Sequence, residues 1–271
     1  MPVINTNASA LNAQNVLKTN SRDMTNVMQQ LSTGSRINSA KDDAAGLGIG
    51  QTMTSQIRGL NQAVRNANDG INMLQTAEGA MVEQTNMLQR MRELAVQSSN
   101  ATNSSDQRQY LQNEFTELRS QIGSIANQTL WNDKQVLKQS GATLSFQVGF
   151  SSGQTIDIKL SSMTASVLNV SSASITSATA ASTALNTIDI ALTKVNSTRS
   201  TIGATINRLT YAADNLSNTS ANLSASRSSI MDTDYATASS QLSKNQIIQQ
   251  AATAMLAQAN QQTQSVLSLL K

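Results

Sequence analysis

The chain contains neither cysteine nor histidine. Without cysteine there is no disulfide framework and no thiolate. Without histidine the usual zinc ligands, the Ser-His and Cys-His dyads and the commonest general base are gone, leaving carboxylates, Lys, Tyr and hydroxyls for any catalysis. That inventory argues against an enzyme. With 3% aromatic residues, one Pro and 39% hydrophobic residues, the composition points to thin helical bundles rather than a thick core. Charged residues make up 13% and the net charge is only +3, spread along the chain with no basic patch interleaved with aromatics, which argues against a nucleic-acid partner. No apolar run approaches the roughly 20 residues of a membrane span. The opening MPVINTNASALNAQNVLK lacks the apolar core of a cleavable signal peptide, so the expectation is a cytosolic protein or one that leaves by another route.

What the sequence has is heptads. Ile188, Val195, Ile202, Leu209, Leu216, Leu223 and Ile230 recur every seven residues, with Leu185, Leu192, Ile206 and Ala213 as a second row. The spacing predicts one long helix over 185–230 with a narrow apolar seam. At 1.5 Å per residue it is a rod of roughly 65 Å, and it needs an equally long partner. From Met53 the row Ile57, Leu60, Val64, Ala67, Ile71, Leu74, Met81 and Leu88 supplies one, broken only at Glu78 and Thr85. The polar stretch 98–106 ends that helix. A shorter one follows on Leu111, Phe115, Leu118, Ile122 and Ile125. Two helices joined by a short turn should run antiparallel.

The ends repeat the theme. Ala10, Ala13, Leu17, Asn20, Met24, Val27 and Leu31 alternate three and four apart, with Asn20 in the role of a register-setting core Asn. Residues 1–5 should be extended. Between these helices Gly46, Gly48 and Gly50 read as a flexible joint or a place of close backbone packing; no preceding strand and no GK[ST] support a phosphate loop. In the last helix Leu242, Asn245, Gln249, Ala252, Leu256, Ala259, Thr263, Val266 and Leu270 form one row, while Ile248, Met255 and Leu269 form a second where a two-stranded coiled coil carries charge. So few large apolar residues leave a lone terminal pair marginal against the entropy of ordering it, and neighbouring subunits would make up the difference. Period two at 143–160, around Ser151-Ser152-Gly153-Gln154, predicts a β-hairpin. The Ser/Thr/Ala-rich stretch 161–184 reads as a solvated connection or a place where related chains could carry insertions.

Four motifs carry a resemblance: LSTGSRINSAKDDAAGLGIGQTM at 31–53, NDGINMLQTAEGAM at 68–81, LQRMRELAVQSSN at 88–100 and QQAATAMLAQANQQTQSVLSLL at 249–270. In this order they resemble bacterial flagellin over both ends and most of the middle. Departures are local: Gly48 and Gly50 where Ala is commoner, Asp133 where the family favours Gly, and Thr263 where Pro is frequent. The charged run Lys41-Asp42-Asp43 reads as a solvated or interfacial charge cluster, not as an acid/base or metal site.

The resemblance implies a mainly α fold: a long antiparallel helical rod with a β-hairpin, and a coiled coil of the N- and C-terminal helices. The expected division is 1–44 and 233–271 for the terminal coiled coil, 45–177 and 178–232 for the rod. It implies a subunit that polymerises into the flagellar filament, without catalytic residues, metal or cofactor, and with almost no outer variable domain. Subunit contacts are expected at Leu17, Met24, Leu31, Ile248, Met255, Leu256, Val266 and Leu270. Export unfolded through the flagellar type III channel, a chaperone on the C-terminal segment, and contacts with cap and hook-junction proteins follow from the same likeness. So does recognition by animal Toll-like receptor 5 through Arg90, Leu94 and Glu114. Rival readings are a hook-filament junction protein, which usually lacks the uninterrupted SAKDDAAGL motif, a flagellin carrying a zinc protease, which needs HExxH, and a non-polymerising coiled-coil module.

Overall fold

The computed structural model describes residues 6–138, 141 and 143–268, with side chains up to residue 262. The fold is mainly α. In order come α1 (Ala8–Thr33), α2 (Ala44–Ser99), α3 (Ser105–Gln128), the short strands β1 (Leu130–Trp131) and β2 (Lys134–Gln135), the hairpin strands β3 (Thr143–Gln147) and β4 (Thr155–Lys159), α4 (Ala178–Met231) and α5 (Tyr235–Ser268). They gather into two compact units, one of Met1–Ile57 with Asn222–Lys271 and one of Arg58–Ala221. The division falls inside α2 and α4, whereas the boundaries expected at 44 and 232 fall where helices meet turns.

Helix ends are set by side chains that take up free backbone donors. Asn7 accepts from the Ala10 amide at the start of α1, and Gly34, with φ 70°, closes its last turn. Asp43 Oδ1 accepts from the Gly46 amide at 2.8 Å, so α2 begins at Ala44 rather than near Met53. The three glycines are therefore helical and not a joint. A Cβ at Gly46 would run into Ile37 and Asp43, and one at Gly50 into Met231; Gly48 faces open space. Ser104 and Gln107 form a reciprocal capping box for α3.

In the second unit the predicted rows face inward. Leu74, Met81 and Leu88 of α2, Phe115 and Ile122 of α3, and Ile188, Val195, Ile202 and Leu209 of α4 are fully buried in one core. Both polar breaks in the α2 row are accommodated. Glu78 pairs with Arg199 at 3.6 Å, and the buried Thr85 donates its hydroxyl back to the Met81 carbonyl at 2.8 Å. Thr198 and Thr205 in α4 do the same to the carbonyls four residues earlier.

The hairpin pairs antiparallel with Phe146 opposite Ile156 and Leu144 opposite Ile158, placing these apolar residues on one face. Gly59 and Gly70 of α2 leave room for it: a Cβ at either would lie 2.8 Å from an atom of Phe150 or Phe146. The expectation of a solvated connection over 161–184 does not hold. Met163, Leu168, Val170 and Ile175 are buried, and α4 already begins at Ala178. Their irregular backbone is satisfied by donors from distant elements, Ser98 Oγ to Ile175 O, Arg119 to Ser171 O and Lys194 to Val167 O. Such a segment holds apolar side chains inside without a period to announce them.

Candidate assembly surface

In the first unit α1 packs on α5 with two side-chain amides reaching across. Asn20 Nδ2 donates to the Asn245 carbonyl at 2.8 Å and Asn7 Nδ2 to the Ala259 carbonyl at 2.9 Å. The order of partners reverses along the helices, so they run antiparallel. Both Asn20 and Asn245 are buried, in the registry role that a polar residue takes inside an apolar seam. The turns at the far end are also tied: Ser35 and Asp232 form an antiparallel bridge, Thr233 N donates to Gly34 O, and Arg36 gives its guanidinium to Ile230 O at 2.7 Å.

What this pairing buries is small. Among the described residues of α1 and α5 the buried ones are Ala10, Asn20, Ala238, Asn245 and Ala252. Leu17, Met24 and Leu31 on α1, and Leu242, Ile248 and Leu256 on α5, are only half-buried. A half-buried Leu realises roughly half of the 1.5–3 kcal/mol that full burial contributes, while each ordered residue costs about 1–2 kcal/mol of backbone entropy. Large apolar residues meanwhile face water: Leu11, Val16 and Met28 on α1 are about half exposed, and Ile247 and Met255 on α5 are 66% and 65% exposed. Ala13, Val16, Ile248, Ala252, Met255 and Ala259 line a continuous groove between the two helices. Lys244 is the one charged residue in α5. A helix this sparsely charged and apolar on more than one row leaves apolar surface that α1 does not cover. Ile247 was not singled out by the heptad reading because it sits off both rows. The side chain of Val266, and Leu269 and Leu270 entirely, lie outside the described residues.

Two carboxylates fix the turns of this unit. Asp42 accepts from the Ser39 hydroxyl and amide and from the Asn38 amide, and the Ser39 hydroxyl bond above all holds its pKa below the ordinary carboxylate value. Asp234 accepts from the Thr237 amide and hydroxyl and the Ala236 amide at the start of α5, with the same direction of shift for the same kind of cause. Neither arrangement resembles an acid/base pair. Among the described residues no three carboxylates gather as metal ligands, and no helix is long and apolar enough to cross a membrane.

The second set of expected site residues lies in the other unit. Arg90 of α2 pairs with Glu114 of α3 and with Glu93, each at 2.9 Å, and the Glu114 hydrogen bond raises its pKa. Both partners are exposed. Leu94, expected beside them, is 1% exposed. It continues the inward row of Leu88 and Met91, so it lies under the charged pair as part of the core and not on the surface.

The residues 4–142 match the bacterial flagellin N-terminal helical region and 185–270 the bacterial flagellin C-terminal helical region. The chain is 45% identical to a flagellin of Halalkalibacterium halodurans over 99% of its own length and 100% of that protein's. It is 41% identical to the flagellar filament 33 kDa core protein of Treponema phagedenis, again over 99% and 100%. Its fold is similar to the crystal structure of Bacillus cereus flagellin, with a TM-score of 0.50 and 28% identity over 56% of this chain and 88% of that one. Two paired end helices with an uncovered apolar face, a helical core unit carrying a hairpin, and full-length likeness of this degree agree: the chain belongs to the bacterial flagellin family and is a structural subunit of the flagellar filament.

Proposed function

We propose that like subunits meet on the face formed by α1 and α5, and that Leu17, Met24, Leu31, Ile248, Met255, Leu256, Val266 and Leu270 are their contact residues. The observation that carries this reading is the exposure of Ile247 and Met255 on a helix with a single charge. Burying those side chains against copies of the same helices supplies the apolar area that one pair lacks. The subunit has no catalytic step and needs no cofactor.

The same reading extends to partners. The chain leaves the cell unfolded through the flagellar type III channel, with a chaperone masking the apolar rows of α5, and it contacts cap and hook-junction proteins at the ends of the filament. Arg90 in LQRMRELAVQ and Glu114 on α3, exposed and adjacent, form a charged patch open to an innate receptor of the Toll-like 5 type.

The test of assembly is Leu256→Asp in the full chain. It sets an unpaired charge in the seam while leaving the second unit untouched. Sedimentation and electron microscopy after seeding should show no filaments, with most helicity retained by circular dichroism. Normal filaments from this variant would refute the placement of the contact.

A further inference from the structure

The chain has eleven methionines and no cysteine, so its readily oxidised sulfur is thioether sulfur. The structure sorts these side chains by access. Met73, Met81, Met91 and Met163 are buried in the core of the second unit, whereas Met28 is 48% and Met255 65% exposed. Met255 also lines the groove between α1 and α5, beside Val16, Ile248 and Ala252.

We propose that Met255 is a modification site whose oxidation by a peroxide weakens filament growth. This rests on the reading that the α1–α5 face is the contact between like subunits. The thioether sulfur attacks one oxygen of hydrogen peroxide. An S–O bond forms, the O–O bond breaks and the departing oxygen leaves as water; sulfur gives up two electrons and the peroxide is reduced. The product is a sulfoxide, a polar group with a strong acceptor oxygen on a side chain that assembly buries among Ala, Val and Ile. Asn12 and Gln258 at the groove rim offer amide donors, so the oxygen is not left wholly without partners and the contact is weakened rather than abolished. The penalty for a poorly satisfied buried polar group corresponds to about a tenfold higher subunit concentration for polymerisation. Burial in the polymer also removes the sulfur from solvent. Oxidation therefore acts on free subunits and spares those already assembled.

The experiment treats full-length free subunits and preformed filaments with hydrogen peroxide, maps sulfoxides by peptide mass spectrometry and measures the polymerisation concentration by sedimentation. Expected are earlier oxidation of Met255 than of Met73, Met81, Met91 and Met163, at least tenfold slower oxidation of Met255 in filaments, and a roughly tenfold loss of assembly after treatment. Met255→Leu, whatever its own polymerisation concentration, should show the same value before and after peroxide, and Met255→Gln should assemble more poorly than wild type without it. Met28→Leu should stay as sensitive as wild type. A Met255→Leu variant that loses assembly on treatment as wild type does overturns the inference while leaving the assembly reading intact, whereas equal oxidation of Met255 in free and assembled chains overturns both. An untreated wild-type chain that does not polymerise overturns both.

Discussion

Asn20 donates its side-chain amide to the Asn245 carbonyl at 2.8 Å, in a buried seam between helices drawn from opposite ends of the chain. The acceptor already serves the α5 backbone ladder, so the amide adds direction more than stability. A net hydrogen bond of this kind is worth about 1 kcal/mol, and a Leu in its place regains a similar amount from burial. Asn20→Leu should therefore leave the melting temperature of the free subunit unchanged or higher, yet allow α1 to slip along α5. The expected result is filaments of more than one form by electron microscopy; uniform filaments would argue that Asn20 does not set the register.

The terminal pair should be loosely held in the free subunit. Among the described residues α1 and α5 bury five small or polar ones, and the large seam residues Leu17, Met24, Leu31, Leu242, Ile248 and Leu256 stay half in water. Hydrogen exchange of monomer and filament should show fast exchange across 8–33 and 235–268 in the monomer and strong protection after polymerisation, with the amides around Leu88 and Ile202 protected in both. Equal protection of the termini in the two states would contradict this.

For the exposed charged patch, a double variant separates surface from core. Arg90→Ala with Glu114→Ala removes a solvent-exposed ion pair and should barely move the melting curve, while activation of the innate receptor by depolymerised subunits should fall at least tenfold. Leu94→Ala is a different experiment. It empties a 1% exposed core site and should cost about 2–5 kcal/mol of the second unit's stability. Any loss of signalling in that variant has to be read against its melting curve.

Acid should release the two turns first. The folded pKa values of Asp42 and Asp234 lie below the ordinary 3.8, through hydrogen bonds from Ser39 and Thr237 respectively. A lowered carboxylate pKa gives stability that is present above the unfolded value and lost as the pH falls through the folded one. Between neutral pH and about 4 these turns should be unaffected, and below that the first turn of α5 should fray by amide exchange. Asp234→Asn keeps acceptor capacity without the charge and should abolish that pH step.

Gly70→Ala tests the seat of the hairpin. A Cβ there would approach Phe146 Cδ1 to 2.8 Å, so the ring must turn away from α2. Overpacking of this sort costs about 1–3 kcal/mol, while Gly48→Ala, which faces open space, should be neutral or slightly stabilising through helix propensity. Similar melting curves for both variants would mean that the hairpin moves freely on the helix.

The long helices were legible because a heptad repeat ties each apolar residue to the next: Ile188, Val195, Ile202 and Leu209 are buried, and Leu216, Leu223 and Ile230 of the same row are half-buried. The stretch 161–177 was not. Its buried Met163, Leu168 and Val170 follow turns, including Asn169 at φ 59°, and their positions depend on donors from Arg119, Ser98 and Lys194 far away in sequence. The β1–β2 pair was missed as well, although Asn132 and Asp133, at φ 47° and 62°, are residue types that tolerate the left-handed region. Leu94 was placed by motif alone. Its spacing from Leu88 and Met91 already marked it as an inward position.

The pairing of α1 with α5 joins partners 225 residues apart at Asn20 and Asn245, and 252 apart at Asn7 and Ala259. The face they share does not exist in any prefix of the chain. A subunit cut short by a premature stop or by proteolysis of its last helix carries α1 with nothing to complete it. On the proposed reading of this face, filament growth admits only chains that carry both helices, so assembly itself would screen its building blocks for wholeness.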